Sequence, residues 1–151
     1  MHMTSSVLVK SSHENTWAFL VDESNAPRWD RSVVRSELVS PPPLQLGSIV
    51  RTTAPSGMKQ EFCVEELSEP HVLRFSLVRS RWFRQAQLSF TLLPVGDAVC
   101  ITHDIKVTFR FPWSVLIPVL ALFNKRALAA DLDALRRAID EGYDLTKLKG
   151  S

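Results

Sequence analysis

The chain has 151 residues, 45% of them hydrophobic and 23% charged, with 18 basic against 16 acidic side chains and a formal net charge of +2. A chain of this length buries roughly 70% of the surface its unfolded form exposes, so a single domain over residues 1–151 is expected without a metal or disulfide staple. The mild charge, with no run of about five or more like charges, argues against nucleic acid as a partner.

Met1 to Lys10 has no basic stretch followed by an apolar run, so no export signal is expected. The 2 cysteines, Cys63 and Cys100, are far apart and form no metal or disulfide framework; reduced thiols fit a cytoplasmic setting. Val7-Leu8-Val9 is β-prone and reads as the first strand. From Glu14 the apolar residues Trp17, Phe19, Leu20 and Val21 predict a short helix, with Ser12 as its cap. Asp22 to Pro27 breaks it, and a second helical turn is expected after Pro27, carrying Trp29, because proline is tolerated at a first helical position.

From Ser32 to Phe111 the period becomes two, interrupted about every ten residues by turn chemistry. Strands are predicted over 33–39, 48–53, 59–66, 72–79, 84–93 and 98–109. Pro41-Pro42-Pro43 with Gly47, Pro55-Ser56-Gly57, Glu69-Pro70 and Pro94-Val95-Gly96-Asp97 supply the turns. Beyond Pro112, Leu128, Leu132, Leu135 and Ile139 recur at spacings of three and four and predict a long helix that ends near Gly142, with 143–151 as a frayed tail. Pro118 bends that segment or marks the true start of the helix. Val115 to Phe123 is strongly apolar but short of the ~20 residues needed to span a membrane.

The order is strand, two short helices, six strands and one long helix, and only that helix can cover the antiparallel sheet. In Ser6 to about Gly142 the sequence resembles the START-like, or SRPBCC, superfamily and, within it, the bacterial polyketide cyclase/dehydrase group. The resemblance is carried by Val7-Leu8-Val9, by Ser11 to Leu20, by Asn25-Ala26-Pro27-Arg28-Trp29-Asp30, by Leu46-Gly47, and by Glu69-Pro70 with Leu73 and Phe75. It implies an α+β helix-grip fold: a curved antiparallel sheet of about seven strands wrapped round the C-terminal helix, with a ligand cavity between them. It implies no shared catalytic motif and no cofactor.

Strand parity then sorts the side chains. The inward sets are Gln60, Phe62 and Val64; Leu73, Phe75 and Leu77; Ala86, Leu88, Phe90 and Leu92; and Val99, Ile101, His103, Ile105, Val107 and Phe109. The large residues among them set how much of the cavity stays open. His103 is either a general acid or base on a bound ligand or a core histidine satisfied by a neighbouring group. Arg51 either orients a ligand's acidic group through its planar fork or belongs to the solvated face, and Arg74 belongs outside. Trp29 either packs the fold or lines the cavity, and Gln60 touches ligand or water. Both cysteines fall on the outer face, and no metal site is expected.

Hairpins alternate between the two ends of such a sheet. One end gathers 54–58, 79–83 and 110–113, bringing Met58, Trp82, Phe83, Phe111 and Trp113 together with Arg79, Arg81, Arg84 and Arg110. With Leu116 and Leu120 this end suits a gate for an amphipathic ligand, peripheral contact with an anionic membrane, or a dimer contact, so monomer and homodimer both remain open. Three functions follow. The chain binds a lipid or a polycyclic, polyketide-like molecule in its cavity. Alternatively it is a cyclase or dehydratase with His103 or Arg51 in proton transfer, or a protein-interaction module of the co-chaperone or toxin-like type.

Overall fold

A computed structural model describes residues 1–80, 83–110 and 124–142. Its centre is one antiparallel sheet of seven strands in the order β1-β7-β6-β5-β4-β3-β2. The strands are β1 (His2–Val9), β2 (Arg35–Leu38), β3 (Ile49–Thr53), β4 (Lys59–Ser68), β5 (Val72–Arg79), β6 (Phe83–Val95) and β7 (Ala98–Phe109). Helix α1 (His13–Val21) and a 3-10 helix (Glu23–Arg28) connect β1 to β2, and α2 (Lys125–Gly142) lies beyond β7. The chain therefore has the expected architecture, with β5 and β7 at their expected limits.

The differences have local causes. β1 starts at His2, not Val7, because His2 to Ser6 also pair with β7, His2 opposite Lys106 and Ser6 opposite Thr102. The residues from Ser32 to Val34 lie outside the strands: Asp30 accepts from the Ser32 backbone N–H and hydroxyl at 2.9 and 2.6 Å, which closes a turn that delays β2 to Arg35. The second helical turn starts before Pro27 and contains it. Asp22 accepts from the Ser24 N–H at 3.1 Å and starts the 3-10 helix there, with Trp29 as its C-terminal cap, donating its backbone N–H to the Ala26 carbonyl at 3.2 Å. Ser12 caps α1 as expected, accepting from the Asn15 N–H at 3.0 Å.

Three irregularities curve the sheet. In the pairing registers Glu65 on β4, Val78 on β5 and Arg84 on β6 are extra residues, and such bulges bend a strand and increase its twist. They also reset alternation. Because Arg84 is extra, Phe83 and Ala86 face the same side although three positions separate them, and Phe83 is buried. At the β3–β4 turn Gly57 takes φ +87°, a left-handed conformation that glycine adopts without steric cost.

α2 lays Leu128, Leu132, Leu135 and Ile139 on the concave face, all buried. Leu132, Leu135 and Ile139 join Val9, Trp17, Phe19, Leu73, Leu92 and Ile101 in the larger apolar cluster. Leu128 belongs to a smaller one with Met3, Phe83, Ile105 and Val107. The helix is pinned at its far end by Asp140, whose carboxylate accepts from the backbone N–H groups of Lys10 and Ser11 at 3.0 and 3.2 Å. Asp140→Ala leaves both donors without that acceptor, and a loss of about 1–2 kcal/mol is expected. The midpoint of urea unfolding measures it, and an unchanged midpoint would show that water replaces the carboxylate.

Candidate functional site

The two apolar clusters do not meet completely. Between them, under the curved sheet, lies a cavity of about 260 Å³, near the lower end of the ~300–1,000 Å³ usual for ligand pockets. Phe62, Phe75, Leu88 and Phe90 form its floor on the central strands, with Ile105, Val107 and His103 on β7 and Met3 on β1. Val50, Thr52 and Gln60 line it from β3 and β4, Phe19, Leu20 and Trp29 from the helical connection, and Leu128 and Asp131 from α2. Ala54, Met58, Phe83 and Asn124 place one end of it at the sheet end where the aromatic residues were expected to gather.

Trp29 and His103 form the aromatic corner of this space. The His103 ring stacks on Phe90, with centroids 4.2 Å apart and planes 1° from parallel, and Trp29 stands edge-on to both at 5.8 and 6.0 Å. His103 is 4% exposed. Its Nδ1 lies 3.0 Å from the Ser89 carbonyl oxygen. A carbonyl only accepts, so Nδ1 carries the proton, and in the neutral ring Nε2 is left with its lone pair. Burial pushes the His103 pKa down to about 4, against the partial support of the Ser89 carbonyl. The ring is therefore uncharged at neutral pH.

Four acidic residues line the space, Asp22, Glu23, Asp30 and Asp131, and burial shifts the carboxyls of the last two. Asp30 lies next to Trp29, and Asp131 reaches the cavity from the apolar face of α2. Burial raises the pKa of both, and the charge of Asp30 raises that of Asp131 further. Arg31 offsets part of this from the rim: its Nε donates to Asp131 at 3.1 Å while its side chain stays 69% exposed. Asn25, itself buried, secures the connection by donating to the Phe19 carbonyl at 3.1 Å and accepting from Arg28 at 3.2 Å.

Of the expected cavity residues, Trp29, Gln60, Phe62, Phe75, Leu88, Phe90, His103, Ile105 and Val107 lie on its wall. Leu77 and Ile101 do not. Both face inward, but Leu77 packs in the smaller cluster and Ile101 in the larger, so neighbouring side chains cover them. Arg51 is on the opposite face of β3 from Val50 and Thr52. There its Nη2 donates to Glu61 at 2.9 Å and its Nη1 is 3.8 Å from Glu37, so it cannot orient a cavity ligand. Arg74 is likewise outside, paired with Glu66 at 3.1 Å. Trp82, Trp113, Leu116 and Leu120, the expected gate or membrane contact, lie outside the described residues. Among the described residues no side-chain cluster fits a metal ion, and no helix is long and apolar enough to cross a membrane.

Sequence alternation missed Phe83, hidden by the bulge at Arg84, and the carboxylates of Asp30 and Asp131. Asp30 sits in the connection, where parity gives no guidance. Asp131 had a signal: it lies three residues after Leu128 and four before Leu135, which places a charge inside the apolar stripe.

Comparison with known proteins agrees with this geometry. Residues 1–140 match a family described as polyketide cyclase / dehydrase and lipid transport. Comparison with curated proteins gives no match. A START superfamily protein from Mycobacterium smegmatis superposes with a TM-score of 0.68 at 19% identity, covering 92% of this chain and 94% of that one. A protein from Thermus thermophilus gives 0.72 at 14%, covering 92% and 97%. A norcoclaurine synthase point mutant from Thalictrum flavum, in complex with a transition-state analogue, gives 0.69 at 13%, covering 92% and 93%. At these identities the likeness shows the helix-grip, START-like fold.

Proposed function

Since the chain belongs to the polyketide cyclase / dehydrase and lipid transport family, we propose that it binds a small hydrophobic molecule in the cavity between the sheet and α2. The cavity itself carries this reading. Its wall is mainly aliphatic and aromatic, with polar groups interspersed among them, the usual composition of a small-molecule site. A volume of about 260 Å³ favours a compact ring system or a single chain. Binding alone needs no catalytic group, and the state of His103 supports that economy. A general acid or base works best with a pKa close to the working pH, whereas His103 titrates at about 4. A cyclase or dehydratase reading would have to rest on the raised carboxyls of Asp30 and Asp131 instead.

Native mass spectrometry of the purified protein, followed by organic extraction, tests the proposal. The expected result is a stoichiometric small molecule of mainly apolar character. Ala86→Phe supplies the control. Ala86 lines the cavity, and a phenyl ring there fills space that a ligand needs while adding apolar contact. The variant is expected to stay folded and to lose at least about tenfold in ligand affinity. If it binds extracted ligand as tightly as the parent protein, the occupant lies elsewhere.

A further inference from the structure

The charged groups of the cavity have one sign: Asp22, Glu23, Asp30 and Asp131 are among its lining residues, and among the described residues no lysine or arginine lines the space. Ser32, Ser36, Thr52, Gln60 and Asn124 add neutral groups that can both donate and accept. His103 adds an acceptor, because its Nδ1 proton is committed to the Ser89 carbonyl, 3.0 Å away. It is 4% exposed and lines the cavity, and no second hydrogen bond engages its Nε2 among the described residues. A buried acceptor is satisfied only by a donor, and a partly buried carboxylate gains most from a donor that is also cationic. An anionic head would meet the carboxylates without a compensating charge.

We propose that the cavity selects hydrophobic ligands whose polar end is a basic amine, held between Asp30, Asp131 and the Nε2 atom of His103, and that it discriminates against carboxylate-headed ligands such as fatty acids. This rests on the cavity being the ligand site. The apolar body would pack against Trp29, Phe62, Phe75 and Phe90, leaving the ammonium at the corner where the acceptors converge. Arg31 tunes the site. It neutralises Asp131 in part from the exposed rim, at 3.1 Å, without entering the cavity.

Three probes with the same ring and different heads test this with the full chain: 2-naphthylmethylamine, 2-naphthylmethanol and 2-naphthoate, titrated at pH 7 and followed by naphthyl fluorescence. The amine is expected to bind about tenfold or more tighter than the carboxylate, with the alcohol between them. Asp131→Asn should lower amine affinity about tenfold and change alcohol affinity little. Arg31→Gln, an exposed substitution that leaves the core intact, should raise amine affinity. The amine should also weaken as pH falls and protons neutralise Asp30 and Asp131, whose facing charged or titratable groups are Arg31, His103, Asp22 and Glu23. Equal affinity for amine and carboxylate, or an amine affinity indifferent to both substitutions, overturns the inference and leaves the cavity reading standing. Failure of all three probes to bind removes the cavity reading, and the inference with it.

Discussion

Trp29→Ala is expected to destabilise the protein by about 3–5 kcal/mol, the usual cost of removing a large aromatic side chain from a packed site. Trp29 is 8% exposed, belongs to the larger apolar cluster and closes the 3-10 helix. It also supplies the edge-on partner of both Phe90 and His103, and each such aromatic pair adds about 0.5–1.5 kcal/mol beyond area burial. For a chain of this size the loss amounts to a drop in Tm on the order of 10 °C. The same change opens the cavity at its polar corner, so a ring-bearing ligand loses a wall and its affinity falls. Trp29→Phe keeps an apolar ring and should recover most of the stability while retaining some binding. A loss below about 1 kcal/mol for the alanine variant would mean that the connection collapses into the vacated space, and the assigned wall would then be wrong.

How far these features were readable depends on the element. Alternation over β5, β6 and β7, and the spacing of Leu128, Leu132, Leu135 and Ile139, follow from the sheet and helix periods alone, so the inward faces were legible. The bulges were not. Glu65, Val78 and Arg84 break alternation for reasons of pairing between strands distant in sequence, and single-strand parity is blind to that. Phe83 consequently read as part of the mouth and not of the wall. The connection after α1 was misplaced by one turn because the capping carboxylate of Asp22 outranked Pro27 as the start of the 3-10 helix.

Parity also separates inward from outward without separating cavity from core. Leu77, Ile101 and His103 share that inward orientation, yet only His103 borders the empty space. What decides is the path of α2 and the connection over the sheet, a tertiary property. For Arg51 parity alone was ambiguous, since β3 is short and its apolar residues are adjacent; pairing with Glu61 and Glu37 places it outside. Asp131 is the instructive case. Its helical phase was readable, but a charge in an apolar stripe is informative only once a cavity gives it something to face.

The acid limb of the stability profile should carry the signature of His103, with an amplitude on the order of 3 kcal/mol. Its pKa falls from 6.5 to about 4 through burial, and each unit corresponds to about 1.4 kcal/mol. The unfolded chain binds the proton more tightly than the folded one, so acid favours unfolding: stability is intact above about pH 6.5 and declines as pH falls towards 4. Asp30 and Asp131 act in the opposite sense. Their raised values let the folded form hold protons that the unfolded chain releases, adding stability as they protonate. Asp104 is raised by burial but lowered further by the side chains of Thr4 and His2, so its contribution disappears only below the ordinary aspartate range. The comparison that isolates His103 is therefore parent against His103→Asn, which keeps a side-chain donor near the Ser89 carbonyl and removes the titration. Urea midpoints between pH 7 and 4 should converge as the parent loses its advantage, and the imidazole resonance should titrate near 4. A midpoint near 6.5 would place His103 in contact with bulk water.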